Sequence, residues 1–172
     1  MATRTRPGRS TRPTGRTLHL LDVENLAGGT AAGGVAVAPA FAAYRSTVRV
    51  APGDHVVVGT GPTFACAAAA AWPGARLRVG HGLDGADLAL LDDVDPGFVS
   101  AHYDRVVVGS GDHLFCGVVS TLRPLGLAVL VVARAESISR DLRRLAPFLP
   151  LATSSSVNSP RAWSRRRWAA NP

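Results

Sequence analysis

Short apolar runs that end in glycine or in an acidic residue recur along the chain. The first spans residues 18–26, where Leu18, Leu20 and Leu21 precede Asp22 and a glycine-rich stretch. Apolar runs of this length, bounded by turn residues, are typical of the buried strands of a parallel sheet. Similar runs predict four further strands at residues 55–59, 76–80, 103–109 and 127–133.

Between these runs, apolar residues recur at helical spacing. The pattern predicts helices at residues 37–50, 63–71, 87–94, 113–122 and 137–148. Strands that alternate with helices are typical of an α/β fold, in which helices cover both faces of a parallel sheet. We therefore expect one α/β domain, residues 17–151, with a mostly parallel sheet of five strands.

Acidic residues fall at equivalent positions in three of these units. Asp22 ends the first apolar run, Asp112 follows the run at 103–109, and Asp87 begins a predicted helix. Ligands of open α/β sheets bind at the carboxyl ends of the strands, and clustered carboxylates repel one another unless a cation neutralises them. Together the three aspartates predict a Mg²⁺ or Mn²⁺ site and phosphate-ester chemistry. Taken singly, each is explained at least as well as a helix cap.

Other polar residues fall near the same edge of the predicted sheet. Ser110 and Gly111 could bind phosphate through backbone N–H groups, although the chain has no glycine-rich nucleotide-binding motif. His81 and His113 border the edge and could contact a substrate. His19 lies within the first apolar run, where a core histidine with satisfied hydrogen bonds is the expected role.

The net charge of +7 is carried by the two ends of the chain. Residues 17–160 contain ten arginines and all twelve acids, a balance of 10 − 12 = −2, whereas the other nine arginines lie before residue 17 or after residue 160. We therefore expect an acidic domain between two basic segments. Residues 1–16 have no hydrophobic periodicity and are predicted to be disordered, and residues 152–172 read as a serine-rich linker and a basic tail.

Cysteine content and hydropathy favour a cytoplasmic protein. Two cysteines in separate apolar stretches make no disulfide framework. The first 17 residues contain no apolar segment of a secretory signal. The longest apolar stretch, residues 64–72, is about half the length needed to span a bilayer, so we expect no membrane association.

Three motifs resemble the NYN domain of the PIN-like nuclease superfamily. They are Asp22-Val-Glu-Asn25, Gly85-Ala-Asp87-Leu-Ala-Leu and Val106-Val-Val-Gly-Ser-Gly-Asp112, in this order. The resemblance covers residues 17–151. It implies a Rossmann-like, three-layer α/β/α sandwich with strand order 3-2-1-4-5, a pocket that binds Mg²⁺ or Mn²⁺, and metal-dependent cleavage of RNA.

The resemblance also assigns roles to individual residues. Asp22, Asp87 and Asp112 match the acidic, metal-binding and catalytic positions, and Asn25 matches an asparagine that would orient a ligand or a water. Asp93 and Ser110 are additional candidates. The family often carries an acid where this chain has Leu114.

Two alternatives to a ribonuclease follow from these residues. The first, suggested by Leu114 and by the basic segments, is a catalytically weak or inactive module of the same fold that binds RNA or a protein partner. The second is a small-molecule phosphohydrolase or nucleotide-binding enzyme. The sequence leaves open whether the protein forms a homodimer.

The C-terminal segment is predicted to bind the RNA backbone without reading its sequence. Arginine pairs with phosphate, and tryptophan between arginines can stack on bases. A solvated tail, or tryptophans packed on the domain, would be the structural alternative. The candidate RNA-binding residues are Arg161, Trp163, Arg165, Arg166, Arg167 and Trp168.

Overall fold

A six-stranded parallel sheet forms the centre of the computed structural model, which describes residues 15–152. Its strands are β1 (Thr17–Asp22), β2 (His55–Thr60), β3 (Arg76–Val79), β4 (Arg105–Gly109), β5 (Ala128–Ala133) and β6 (Phe148–Pro150). They lie in the order β3-β2-β1-β4-β5-β6, and every neighbouring pair is parallel. The expected parallel α/β architecture is confirmed, and the five expected strands lie in the order 3-2-1-4-5.

The sixth strand corrects the sequence-based prediction of five. Residues 137–148 were predicted as one helix, but the helix ends at Leu145, and Phe148–Pro150 pairs with the end of β5. Pro147 explains the difference, because proline disfavours helical backbone at the residue before it and has no N–H to continue the helix. Its carbonyl instead accepts a hydrogen bond from the N–H of Val131 at 2.9 Å.

Helices cover both faces of this sheet. One face packs against the first three helices, and its core includes Leu21 and Val107. The other face packs against the last four helices, and its core includes Leu20 and Val108. The helices are α1 (Val23–Ala27), α2 (Val37–Thr47), α3 (Pro62–Ala71), α4 (Gly85–Leu91), α5 (Pro96–His102), α6 (Cys116–Leu122) and α7 (Arg140–Leu145). None of these helices is long and apolar enough to cross a membrane.

The first apolar run is divided between a strand and a helix. All six residues of β1 are buried, as expected of a central strand. The strand ends at Asp22, as expected, and the Asp22 side chain caps α1, a short helix that was not predicted. Helix α5 was not predicted. It begins at Pro96, where Asp95 caps the N–H of Phe98.

β1 occupies the position at which the order of strands reverses. The chain passes from β1 to β2 and β3 on one side, and then returns to place β4 on the other side of β1. Such a reversal leaves a crevice at the carboxyl ends of the two central strands, where α/β proteins bind their ligands. The carboxyl ends of β1 and β4 are therefore the expected position of a ligand-binding site.

His19 has the structural role that its position in β1 predicts. Its side chain is completely buried, and its Nδ1 lies 2.7 Å from the Tyr44 hydroxyl. Its Nε2 lies 3.5 Å from Oδ2 of Asp54. Both ring nitrogens thus have partners, as buried polar groups require.

Candidate functional site

Asp22 lies at the carboxyl end of β1 with only 4% of its surface exposed. Its Oδ1 accepts hydrogen bonds from the N–H groups of Glu24 and Asn25, both at 3.1 Å, and these bonds begin α1. Burial raises its pKa, although the bonds from Asn25, Asp87 and Ser110 oppose that shift. The strand end therefore places a carboxyl group in the crevice and fixes its orientation.

Ser110 and Asn25 join β1 to the loop after β4. The buried Ser110 hydroxyl donates to Oδ2 of Asp22 at 2.9 Å and accepts from the N–H of Asp112 at 3.2 Å. Oδ1 of Asn25 accepts from the N–H of Gly111 at 2.9 Å and from the Ser137 hydroxyl at 3.2 Å. Asn25 thus holds together the loops that follow β4 and β5, a role that the sequence did not indicate.

Asp87 reaches the site because two glycines let α4 approach the sheet closely. A Cβ at Gly59 in β2 would lie 2.7 Å from the Ala86 carbonyl oxygen, and a Cβ at Gly80 would overlap the Gly85 backbone. Real side chains do not tolerate such contacts. The N-terminal turn of α4, which contains Asp87, is therefore pressed against the ends of β2 and β3.

Asp87 has a strongly raised pKa. Burial raises its pKa to about 8, with further contributions from the charges of Asp22, Asp112 and Asp84. Its Oδ1 is buried and has no hydrogen-bond partner. The carboxyl groups of Asp22 and Asp87 are close enough to share a hydrogen bond when one of them is protonated. Without a cation, Asp87 therefore keeps its proton at neutral pH.

Asp112 lies at the outer side of the same cluster. Its side chain is 32% exposed, and the ring of His113 lies 3.0 Å from its Oδ1. That oxygen also accepts from the N–H of Leu114 at 2.9 Å, which caps a short 3-10 helix. Asp112 is thus a helix cap, and its charge also acts on Asp87.

The structure brings five of the candidate residues together and places another elsewhere. Asp22, Asp87, Asp112 and Asn25 meet at the carboxyl ends of the strands, with Ser110 between them. Asp93 instead forms ion pairs with Arg76 at 3.2 Å and Arg78 at 2.5 Å.

The remaining candidates are His81 and the residues of the basic C-terminal segment. His81 lies exposed in the loop between β3 and α4. The arginines and tryptophans between residues 161 and 168, and residues 1–14, lie outside the described residues.

Three residues of the site were not singled out from the sequence. Glu24 accepts a hydrogen bond from the N–H of Gly61 at 2.8 Å, and its charge raises the pKa of Asp22. Asp84 adopts a left-handed conformation with φ of 55° and adds its charge to that acting on Asp87. Ser137 binds Asn25. Asp84 could have been noticed in the sequence, because it is an acid in the turn after Gly82. The contact of Ser137 with Asn25 could not, because the two residues are 112 positions apart.

The donor set determines what kind of metal site is possible. Among the described residues, no group of three or more His, Cys, Asp or Glu side chains is placed to hold a metal ion by itself. Mg²⁺ in phosphoryl-transfer sites is often held by one or two carboxylates, while waters and substrate phosphate complete its shell. The Asp22 and Asp87 pair, with the unpartnered Oδ1 of Asp87, fits a cation of that kind.

Comparison of the chain with protein-family models, with curated proteins and with solved structures finds no match.

Proposed function

We propose that the protein is a metal-dependent ribonuclease with the fold of a PIN-like NYN domain. One observation carries the proposal: Asp22 and Asp87 are pressed together at the reversal point of the sheet, and ionisation of Asp87 is strongly disfavoured there. Among the described residues, no arginine or histidine forms an ion pair with either carboxyl group. Ionising both groups together would cost free energy, and a divalent cation would remove that cost.

The residues divide into those that would bind the cation and those that position them. Asp22 and Asp87 would hold Mg²⁺ or Mn²⁺, which when bound lowers the pKa of water and offsets charge on a phosphate. Ser110 keeps Asp22 in one orientation, and Gly59 and Gly80 keep α4 against the sheet. Asp112 adds negative charge at the open side of the pair and so favours the cation further.

The choice of RNA as the substrate depends on charge and on the family resemblance. A pocket lined by carboxylates repels phosphate, so substrate binding needs a cation in the pocket and basic groups outside it. Asn25 keeps its Oδ1 occupied by Gly111 and Ser137. Its amide nitrogen makes no hydrogen bond within the described part of the chain, and it would donate to a phosphate or a water.

Cleavage of labelled RNA by the full-length protein tests this proposal. With Mn²⁺ or Mg²⁺ we expect cleavage that EDTA abolishes and that Asp22→Asn or Asp87→Asn reduces by at least about 100-fold. Asp92→Asn is a matched control, because Asp92 is exposed at the other end of α4. Metal-independent cleavage, or equal activity in all three variants, would contradict the proposal.

A second candidate is a module of the same fold that binds RNA without cutting it. The observations in its favour are that the described residues contain no group of three acids placed to hold a metal ion, and that Leu114 stands where the family often has an acid. This candidate predicts RNA binding without cleavage in any divalent metal, and binding that Asp112→Asn leaves unchanged. The cleavage assay with its metal series therefore distinguishes the two candidates.

A further inference from the structure

A cavity of about 460 Å³ lies at the opposite end of the strands from Asp22. It is lined by Leu18 at the start of β1 and by residues 55–57 at the start of β2. Cavities of about 300–1,000 Å³ are the usual size of small-molecule sites. The proposed ribonuclease site does not use this cavity, because Asp22, Asp87 and Asp112 do not line it.

The cavity exists because β3 is shorter than β2. Pairing between the two strands starts at Val57 and Arg76, so residues 55–56 have no neighbouring strand on that side. The turn at residues 72–74 closes one side of the gap, and α5 closes the other. The topology of the sheet edge therefore leaves a space that no described side chain fills.

The lining of the cavity combines polar side chains with an unusually large share of this chain's aromatic residues. The chain has ten Phe, Tyr and Trp residues, and removing Trp163 and Trp168 leaves 10 − 2 = 8 in the described part. Three of these eight, Trp72, Phe98 and Tyr103, line this one cavity. The Phe98 ring is 56% exposed although it is large and apolar. Trp72 and Tyr103 are buried, and an exposed aromatic ring at a cavity favours a ligand that contains a ring.

At the side of the cavity next to β3, two arginines share one carboxylate. Arg76 and Arg78 both bind the same oxygen, Oδ1 of Asp93, so two guanidinium groups share one carboxylate. The Arg76 side chain is 62% exposed, whereas that of Arg78 is 29% exposed. Arg76 also lies farther from Asp93, at 3.2 Å compared with 2.5 Å for Arg78. Its guanidinium group is therefore available to a second anion.

We propose that this cavity binds a small molecule made of an apolar planar ring and a carboxylate or similar anionic group. The ring lies against Leu20, Val57 and Phe98, and the anionic group pairs with Arg76. The polar side chains that line the cavity already have partners: His55 binds Arg16 at 2.7 Å and Tyr103 at 2.5 Å, and Asp54 binds the N–H of Thr17 at 2.8 Å.

Because these polar side chains already have hydrogen-bond partners, the cavity favours an apolar ring over a nucleobase. Among the described residues, no buried side-chain oxygen or nitrogen of the cavity lacks a hydrogen bond. The polar edge of a base would therefore find no unpaired buried side chain, and could pair only with the backbone of residues 55–56, which has no neighbouring strand on that side. An aryl carboxylate has no such edge, and a nucleotide, which also joins a ring to an anion, is the competing source of this chemistry.

Isothermal titration of the full-length protein with naphthalene-2-carboxylate and with its neutral amide tests the proposal. We expect the acid to bind saturably and at least about fivefold more tightly than the amide. Arg76→Gln should remove this preference, and Phe98→Ala should weaken both compounds. Both side chains are exposed, so neither change should prevent folding. Arg140→Gln on the exposed face of α7 is the matched control.

Three results would overturn the proposal. They are the absence of saturable binding, equal binding of the acid and the amide, or an unchanged preference in Arg76→Gln. Tighter binding of adenosine or uridine 5′-monophosphate than of the naphthoate would also overturn the ligand class. Asp22→Asn should leave naphthoate binding unchanged, because the two sites lie at opposite ends of the strands.

Discussion

Asp22 and Asp87 show how one residue type acquires different roles from its surroundings. Asp22 receives three hydrogen bonds from the protein, two from backbone N–H groups and one from Ser110. Asp87 has a buried oxygen without any partner. Hydrogen bonds favour the ionised form, and burial favours the neutral form. Asp87 is therefore the carboxyl group that holds the proton when no cation is present.

This difference makes stability depend on pH in metal-free protein. The pKa of Asp87 is raised to about 8, above its ordinary 3.8, chiefly by burial. Folding therefore takes up a proton, so the contribution of Asp87 is fully present below about pH 4 and is lost as pH rises through about 8. Asp87→Asn cannot ionise. In EDTA above pH 8, the variant should therefore keep the stability that the wild type loses when Asp87 ionises. Its Tm should exceed that of the wild type by roughly 2–4 °C for each kcal/mol of that difference.

Thermal melts between pH 4 and 9 check this prediction. Asp141→Asn is the control, because Asp141 has a side chain that is 75% exposed on α7. We expect no change in the pH dependence for that variant. Parallel curves for the wild type and Asp87→Asn would show that Asp87 is not protonated in the folded state.

Asn25 offers a second test at the level of one side chain. Asn25→Ala leaves the N–H of Gly111 without its acceptor, which should cost roughly 1–3 kcal/mol of unfolding free energy. Asn25→Asp keeps an oxygen at the same position and should cost less in urea denaturation. If both variants lose the same stability, the amide nitrogen rather than Oδ1 is the important group.

Among the secondary-structure elements, α4 determines whether the site forms. It carries Asp87 but is held by backbone contacts with Gly59 and Gly80, which lie in β2 and just after β3. The helix has only seven residues and therefore little stability of its own. Its position depends on tertiary contacts, and so does the distance between Asp87 and Asp22.

Adding a methyl group at these glycines should displace α4. If the proposed metal site exists, Mn²⁺ should raise the Tm of the wild type. Gly80→Ala is expected to lower stability by roughly 1–3 kcal/mol and to abolish that rise. The control is Gly117→Ala in α6, where a Cβ would meet nothing within 4 Å. That change should stabilise the protein by up to about 1 kcal/mol. An unchanged response to Mn²⁺ in Gly80→Ala would contradict this account.

At the scale of the whole molecule, charge is separated along the chain. The acids outnumber the arginines between residues 17 and 160, and nine arginines lie at the two ends. An acidic pocket cannot attract RNA by itself, because both carry negative charge. Basic segments outside the domain would supply the long-range attraction.

Deleting residues 161–172 tests that division of roles. Each phosphate neutralised on a single strand contributes about −0.7 to the slope of log affinity against log salt. The deletion removes four arginines, so it should flatten the slope by up to about 3. Trp163→Leu with Trp168→Leu should weaken RNA binding while leaving the slope unchanged. An unchanged slope after the deletion would exclude the tail from RNA binding.

Sequence patterns predicted most of the fold and part of the site. Five strands were predictable because a parallel sheet needs continuous apolar runs, and Pro52, Pro73 and the glycines mark their ends. β6 was missed because three residues are too few to show a period, and α5 because its apolar residues are few. α1 was not predicted because five residues are too few to show a helical period.

By itself the sequence determined that Asp22 and Asp112 would lie at strand ends, because local apolar runs fix where a strand stops. Only the tertiary structure decided which acids meet. It brought Asp87 to Asp22 through glycine contacts between elements distant in sequence, and it paired Asp93 with Arg76 and Arg78. These distances depend on packing between elements that are far apart in the sequence. A local pattern of residues cannot predict such packing.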